Sequence, residues 1–171
     1  MRDPIVIADY DPGWPAIFER ERDVLKSYLG DLVVEIEHIG STAVPSLGAK
    51  PIIDIMPGVV SLDNADKCVP ILEAHGYNYK PHLEESFPRR RYLNKLENGI
   101  RKVHIHIVET DSDFWRDHLL YRDYLRDHPD VAQKYLELKR ELAEEYREDW
   151  DSYCDSKSEF INSIMEIARR G

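Results

Sequence analysis

Residues 37–59 read EHIGSTAVPSLGAKPIIDIMPGV, and this stretch contains two strands joined by a loop. Val33 to Ile39 (VVEIEHI) alternates apolar and polar side chains and stops at Gly40-Ser41, and PIIDIM, Pro51 to Met56, resumes the strand character. An acid, Asp54, stands inside the second strand among Ile52, Ile53, Ile55 and Met56. A carboxylate there is costly unless paired, hydrogen-bonded or bound to a metal, so Asp54 requires partners from elsewhere in the chain. Gly40, Ser41 and Thr42 offer a tight turn with amides and two hydroxyls, the kind of nest that cradles a phosphate. Lys50, beside Pro51, is either an anion partner or an ordinary surface lysine.

Working outward, a short extended start at Ile5 to Ile7 leads through turn residues Asp11 to Gly13 into an amphipathic helix from about Pro15. Ile17, Phe18, Val24, Leu25, Tyr28 and Leu29 form its apolar stripe, and Gly30 stops it. Beyond the second strand, SLDNADKCVPILEAHGY is a helix capped near Ser61 or Asp63, with Pro70 placed to break or kink it. Tyr77 to Lys80 is a short strand. PHLEESFPRRRYLNKLENGIRKVHIHIVE follows as a hairpin that turns at Glu97-Asn98-Gly99. In VHIHIV the alternation is strict, which places His104 and His106 on one face and Val103, Ile105 and Ile107 on the other. From Asp111 onward the pattern is helical: one helix capped by Asp111, Ser112 or Asp113, a second opened by Pro129 and running to about Arg147, and a third from about Tyr153 to Arg169.

The 171 residues, 42% of them hydrophobic, suit one compact unit with a full core. Thirty-three acids against 23 bases give a formal net charge of −10, which repels phosphate backbones and anionic lipid. Nucleic acid and membrane are therefore not expected as main partners. Cys68 and Cys154 have no paired spacing, and MRDPIVIADY lacks the basic flank and apolar run of a secretion signal, so a reducing cytoplasm is expected.

Two imidazoles on one strand face can bind metal, move protons or meet a phosphate, and they can equally be a polar solvent-facing surface. With Asp54 and His38 they make four potential ligands on strands of one sheet. A buried, hydrogen-bonded His38 is the plainer alternative. In the basic run Arg89-Arg90-Arg91, a substrate clamp competes with a solvated hairpin strand. Arg122, Asp123 and Arg126 have the spacing of a structural network along a helix, and Trp14, Trp115 and Trp150 are assigned to packing.

Taken together, EHIGSTAVPSLGAKPIIDI, HIHIVE and YRDYLRDHPDVAQKYLELKRELA closely resemble the GrpB family over nearly the whole chain. Tyr10, Trp14, Phe18, Tyr77 and Lys157 also stand where that family's pattern places them. The resemblance implies an α+β fold of the nucleotidyltransferase superfamily: a small mixed sheet of about five strands, flanking helices and a C-terminal helical bundle closing a cleft. On this division residues 1–171 are one GrpB-like unit, with an α/β core at 1–110 and packed helices at 111–171. Some family members are joined to dephospho-CoA kinase, which points to nucleotide or cofactor metabolism. In the superfamily pattern a Gly-Ser turn holds a nucleotide phosphate, and the next strand presents two acids one residue apart to metal ions. Gly40 and Ser41 match the turn and Asp54 the first acid, but Met56 stands at the second position. For the third acid, the later strand offers His104 and His106, with Glu109 beyond its end.

The expectation is thus a divalent metal (Mg²⁺, Mn²⁺ or Zn²⁺) held by Asp54, His104, His106 and His38. A nucleotide or phosphorylated small molecule would be held by Gly40, Ser41, Thr42, Lys50 and Arg91. Nucleotidyl or phosphoryl transfer through Asp54, His104 and His106 competes with a non-catalytic binding module and with a single-metal hydrolase.

Overall fold

The computed structural model describes residues 4–171; residues 1–3 of the N-terminal stretch lie outside it. Strands β1 (Glu35–Ile39), β2 (Ile53–Val59), β3 (Asn78–Tyr79), β4 (Arg91–Glu97) and β5 (Ile100–Glu109) form one mixed sheet in the order β1-β2-β5-β4-β3. Only β2 and β5 run parallel; the other neighbours are antiparallel. Helices α1 (Trp14–Leu29) and α2 (Leu62–Ala74) cover one face. The other face lies beneath α3 (Asp113–Asp127), α4 (Pro129–Glu145) and α5 (Trp150–Arg170).

Alternation along the strands sorts the side chains between these faces. Ile53, Ile55, Leu93, Val103, Ile105 and Ile107 join Leu25 and Leu29 of α1 and Cys68 and Leu72 of α2 in the main core. Ile55, Ile105 and Leu25 have no exposed surface, and burying each contributes about 1.5–3 kcal/mol. On the opposite face, Ile39, Met56 and Val108 pack under Trp115 of α3. The loop between β1 and β2 is fixed by the C-terminal helices. Val44 and Leu47 pack with Leu125, Tyr135 and Leu136, and Arg126 Nε donates to the Ala43 carbonyl at 2.9 Å.

Several local expectations shift. Strand β1 starts at Glu35, because a 3-10 turn at Gly30–Leu32 carries the chain into the sheet and leaves Val34 exposed. Strand β2 continues through Pro57 to Val59. Its pairing with β5 lapses at Met56 and Pro57, the latter having no amide hydrogen to offer, and resumes at Gly58↔Val108. Pro70 does not break α2: it lies on the exposed side, while Ala65, Cys68, Val69 and Leu72 bury the other side. Ser61 is the cap, accepting from the Asn64 amide at 3.2 Å. The hairpin begins at Arg91, since Pro81–Glu84 forms a 3-10 turn. Its turn falls at Asn98 and Gly99, with φ of 52° and 78°, the paired positive values of a type I′ hairpin turn. In α5 the first turn starts at Trp150, capped by Asp149, which accepts from the Ser152 amide at 3.1 Å. Among the described residues, no helix is long and apolar enough to cross a membrane.

Candidate functional site

The parallel pairing of β2 with β5 sets Asp54 opposite His104, and strict alternation brings His106 to the same face two residues on. His104 Nδ1 and His106 Nε2 lie 3.1 and 3.0 Å from one oxygen, Asp54 Oδ1. A carboxylate oxygen only accepts, so both ring nitrogens facing it carry hydrogens. The outer nitrogens, His104 Nε2 and His106 Nδ1, are buried with no hydrogen-bond partner among the described residues. Burial would raise the Asp54 carboxyl, but the two imidazole hydrogen bonds outweigh it and hold the group well below the usual carboxylate range. For His106 burial dominates, and its pKa falls below the ordinary value despite Asp54.

Gly40 makes room for this arrangement. Its φ of 75° and ψ of −174° lie in a region almost confined to glycine, and a Cβ there would stand 2.8 Å from Asp54 Oδ2. The chain then enters the 3-10 turn Ser41–Ala43, so the turn and the acid are held back to back.

A cavity of about 210 Å³ opens beside Asp54 and His104, lined also by Ser41, Thr42, Lys50, Lys139 and Lys157. Lys139 is only 3% exposed and donates to the Gly48 carbonyl at 2.6 Å. Burial and the charges of Lys157 and Arg140 push its ammonium down to about 7. Burial also lowers Lys157, whose Nζ lies 4.4 Å from the Tyr153 ring centre. Lys50 Nζ is 4.7 Å from the Trp150 ring centre. Three lysines thus line the cavity beside one carboxylate inside a strongly acidic chain.

The structure brings together Asp54, His104, His106, Gly40, Ser41, Thr42 and Lys50, but not His38 or Arg91. His38 pairs with Ile55 in the β1/β2 ladder, whereas Ile39 pairs with Asp54. Directly opposed residues share a face, so His38 points away from Asp54. It stacks on Phe18 at 4.8 Å and meets Thr42 Oγ1 at 2.9 Å, buried and satisfied. Arg91 fails by the same parity: it opposes Ile107, while Tyr92 opposes His106. The Arg91 guanidinium lies on the α2 side, 2.6 Å from Asp66 and 3.5 Å from Glu84. Arg90 instead reaches the site side, 4.4 Å from the Phe87 ring centre and 5.3 Å from that of Tyr92. Glu109 pairs with Arg89, and the group able to hold a metal is Asp54, His104 and His106 alone among the described residues. Arg122 bonds Glu37 and the His38 carbonyl, tying α3 to β1 as a structural network should.

Lys139 and the cavity roles of Lys157 and Trp150 were not expected from the sequence, where Arg90 stood as a clamp candidate only within the run Arg89-Arg90-Arg91. Lys139 had a readable signal: it sits in the buried stripe Ala132, Tyr135, Leu136, Lys139, Leu142, Ala143, where an amphipathic helix ordinarily places an apolar side chain.

His38 carries a pH dependence. Burial pushes its pKa down to about 4, so between about pH 6.5 and 4 the unfolded chain binds a proton that the folded chain refuses. Stability is therefore complete above pH 6.5 and falls as the pH drops, by about 2 kcal/mol on reaching pH 5. Urea unfolding of wild type and His38→Gln at about pH 7.5 and 5 checks this, with wild type expected to lose that much more than the variant. Equal losses would mean that folded His38 protonates normally.

A family model described as GrpB protein matches residues 4–167. The chain belongs to the GrpB family. The glutamate-rich protein GrpB of Alkalihalophilus pseudofirmus is 35% identical over 167 residues, covering 94% of each chain. The YqkA protein of Bacillus subtilis is 37% identical over 161 residues, 94% of this chain and 46% of that one. A dephospho-CoA kinase of Mycolicibacterium paratuberculosis is 30% identical over 189 residues, 98% of this chain and 46% of that protein. This GrpB chain thus spans less than half the length of the last two relatives. The crystal structure of GrpB from Enterococcus faecalis superposes with a TM-score of 0.86 at 37% identity, covering 95% of this chain and 96% of that one. Cid1, solved in complex with its short product ApU, gives a TM-score of 0.51 at 14% identity over 78% of this chain and 40% of its own. GrpB therefore shares a nucleotidyltransferase-like fold, at the level of fold alone.

Proposed function

We propose that this GrpB chain binds one divalent cation through Asp54, His104 and His106 and transfers a nucleotidyl or phosphoryl group to a small molecule. The observation that carries the proposal is the convergence of these three ligand atoms, all within 4.8 Å of one another, beside a cavity that Asp54 and His104 line together with Lys50, Lys139 and Lys157. One carboxylate and two imidazoles suit Mn²⁺, Zn²⁺ or Fe²⁺ better than Mg²⁺. To ligate the cation, His104 Nδ1 and His106 Nε2 would give up the hydrogens that face Asp54 and carry them on the outer nitrogens, which are buried with no partner among the described residues. When bound, the cation would polarise a phosphoryl oxygen and offset its charge. The lysines would neutralise the phosphates, and Lys139, held near 7, would take up a proton as the anion enters. Ser41 would donate its hydroxyl to a phosphate oxygen.

Met56 favours a second reading, a binding module without turnover. It occupies the position of the second acid, has no exposed surface, and packs with Ile39, Val108 and Trp115. Single-metal hydrolysis needs only the cation and a water, and is the third.

Thermal unfolding of the chelator-treated protein separates the three readings. Mg²⁺, Mn²⁺ and Zn²⁺ are each added with and without nucleoside triphosphates and coenzyme A precursors, the last suggested by the dephospho-CoA kinase relative. A ligand at a hundred times its Kd stabilises by about 2.7 kcal/mol. Cation and nucleotide together are expected to raise Tm well beyond either alone, with Mn²⁺ or Zn²⁺ ahead of Mg²⁺, and addition of a hydroxyl-bearing coenzyme A precursor as acceptor is expected to release pyrophosphate for nucleotidyl transfer or nucleoside diphosphate for phosphoryl transfer. Binding without turnover would favour the module, cation alone the hydrolase, and no shift would dismiss the proposal.

A further inference from the structure

The small cavity adjoins a larger one of about 690 Å³, and the two share Ile5, Lys50, Ile52, His104 and Trp150 as common lining. The larger space falls in the range that encloses a nucleotide-sized ligand, whereas the smaller, about 210 Å³, suits phosphate groups. Its walls include the Tyr92 ring and the Trp150 indole, with the Asn94 side chain, only 4% exposed, between the strands. Aromatic faces accept any base by stacking, and a carboxamide reads base edges or ribose hydroxyls.

Charge supplies the second observation. Lys80, Arg101 and Lys102 line the sheet side of this cavity, away from the Asp54 cleft, and none makes an ion pair among the described residues. In a chain with 33 acids for 23 bases, three uncommitted cations beside one cavity is a local reversal of the overall charge. The Trp150 side carries Glu148 and Asp151 and would repel an anion, so a second negative group belongs against the sheet.

We infer that the larger cavity holds the nucleoside of a ligand phosphorylated at both ends. One phosphate lies beside Asp54, Ser41 and the three cleft lysines, the aromatic middle lies along Tyr92 and Trp150, and the far phosphate meets Lys80, Arg101 and Lys102. The inference rests on reading the smaller cavity as a phosphate site.

Calorimetric titration in low salt with Mn²⁺ present, using adenosine 3′,5′-bisphosphate and adenosine 5′-monophosphate, tests it. The bisphosphate is expected to bind about tenfold tighter, as one extra charge-assisted contact allows. The double change Arg101→Ala with Lys102→Ala should erase most of that advantage and leave the monophosphate Kd unchanged. Both side chains are outside the core, so the fold tolerates their loss. Ser41→Ala should weaken both ligands together. Equal affinity of the two probes, or an advantage that survives in the double variant, would overturn the inference and leave the inner phosphate site standing. Binding of neither probe would remove both.

Discussion

Asp54→Asn is expected to eliminate the metal-dependent rise in Tm and to reduce any transferase activity by about a thousandfold or more, while the metal-free protein still folds. The carboxylate is the one anionic group in the cluster, and its oxygen accepts from both imidazoles. An amide of the same shape keeps its carbonyl oxygen for both histidines, but it carries no charge for a cation and presents an N–H₂ where Oδ2 lies against Gly40. The metal-free cost is limited to weakened hydrogen bonds, about 1–3 kcal/mol. Parallel thermal scans and metal titrations of the two proteins provide the check. An undiminished Mn²⁺ or Zn²⁺ shift in the variant would remove Asp54 from the metal site.

Gly40→Ala should be the most damaging single methyl added to the site, costing about 3 kcal/mol and detaching Asp54 from one or both histidines. Two effects combine. The backbone conformation, φ 75° with ψ −174°, strains any L-residue by about 1–3 kcal/mol, and the new Cβ would meet Asp54 Oδ2 at 2.8 Å. Gly76 is the internal control: its φ is 87°, but a Cβ there meets nothing within 4 Å. Gly76→Ala therefore reports backbone strain alone, about 1 kcal/mol. Urea denaturation of both variants separates strain from collision, and metal titration reads the displaced carboxylate. If Gly40→Ala matched Gly76→Ala in stability and kept metal affinity, the close approach of turn and acid would have no functional weight.

Much of this arrangement was legible in the chain because strand alternation is a local property. VHIHIV fixed the common face of His104 and His106 without reference to any other segment, and an acid among isoleucines announced that Asp54 needed partners. What eluded the sequence was register between strands. Whether His38 or Ile39 shares the Asp54 face depends on a one-residue offset across the β1/β2 pair, and the separate register of β4 on β5 sets Arg91 opposite Ile107 and so off the site face. No residue in either strand records that offset by itself. Lys139 was missed for a different reason: helix α4 reads as a scaffold until its one buried lysine is placed against the Gly48 carbonyl, 91 positions earlier. The C-terminal bundle was expected to close the cleft, and it does so by contributing side chains as well as cover.

Strand β5 has a consequence for how the protein comes into being. The sheet order β1-β2-β5-β4-β3 gives β2 and β4 no contact except through β5, so the two strand pairs stay separate until residues 100–109 have been synthesised and inserted. That same strand carries both histidines to Asp54. Joining the halves of the sheet and assembling the candidate metal ligands therefore both depend on the placement of β5. Two of the three cleft lysines, Lys139 of α4 and Lys157 of α5, leave the ribosome later still, so a nascent chain would carry all three candidate cation ligands before its full set of cleft lysines.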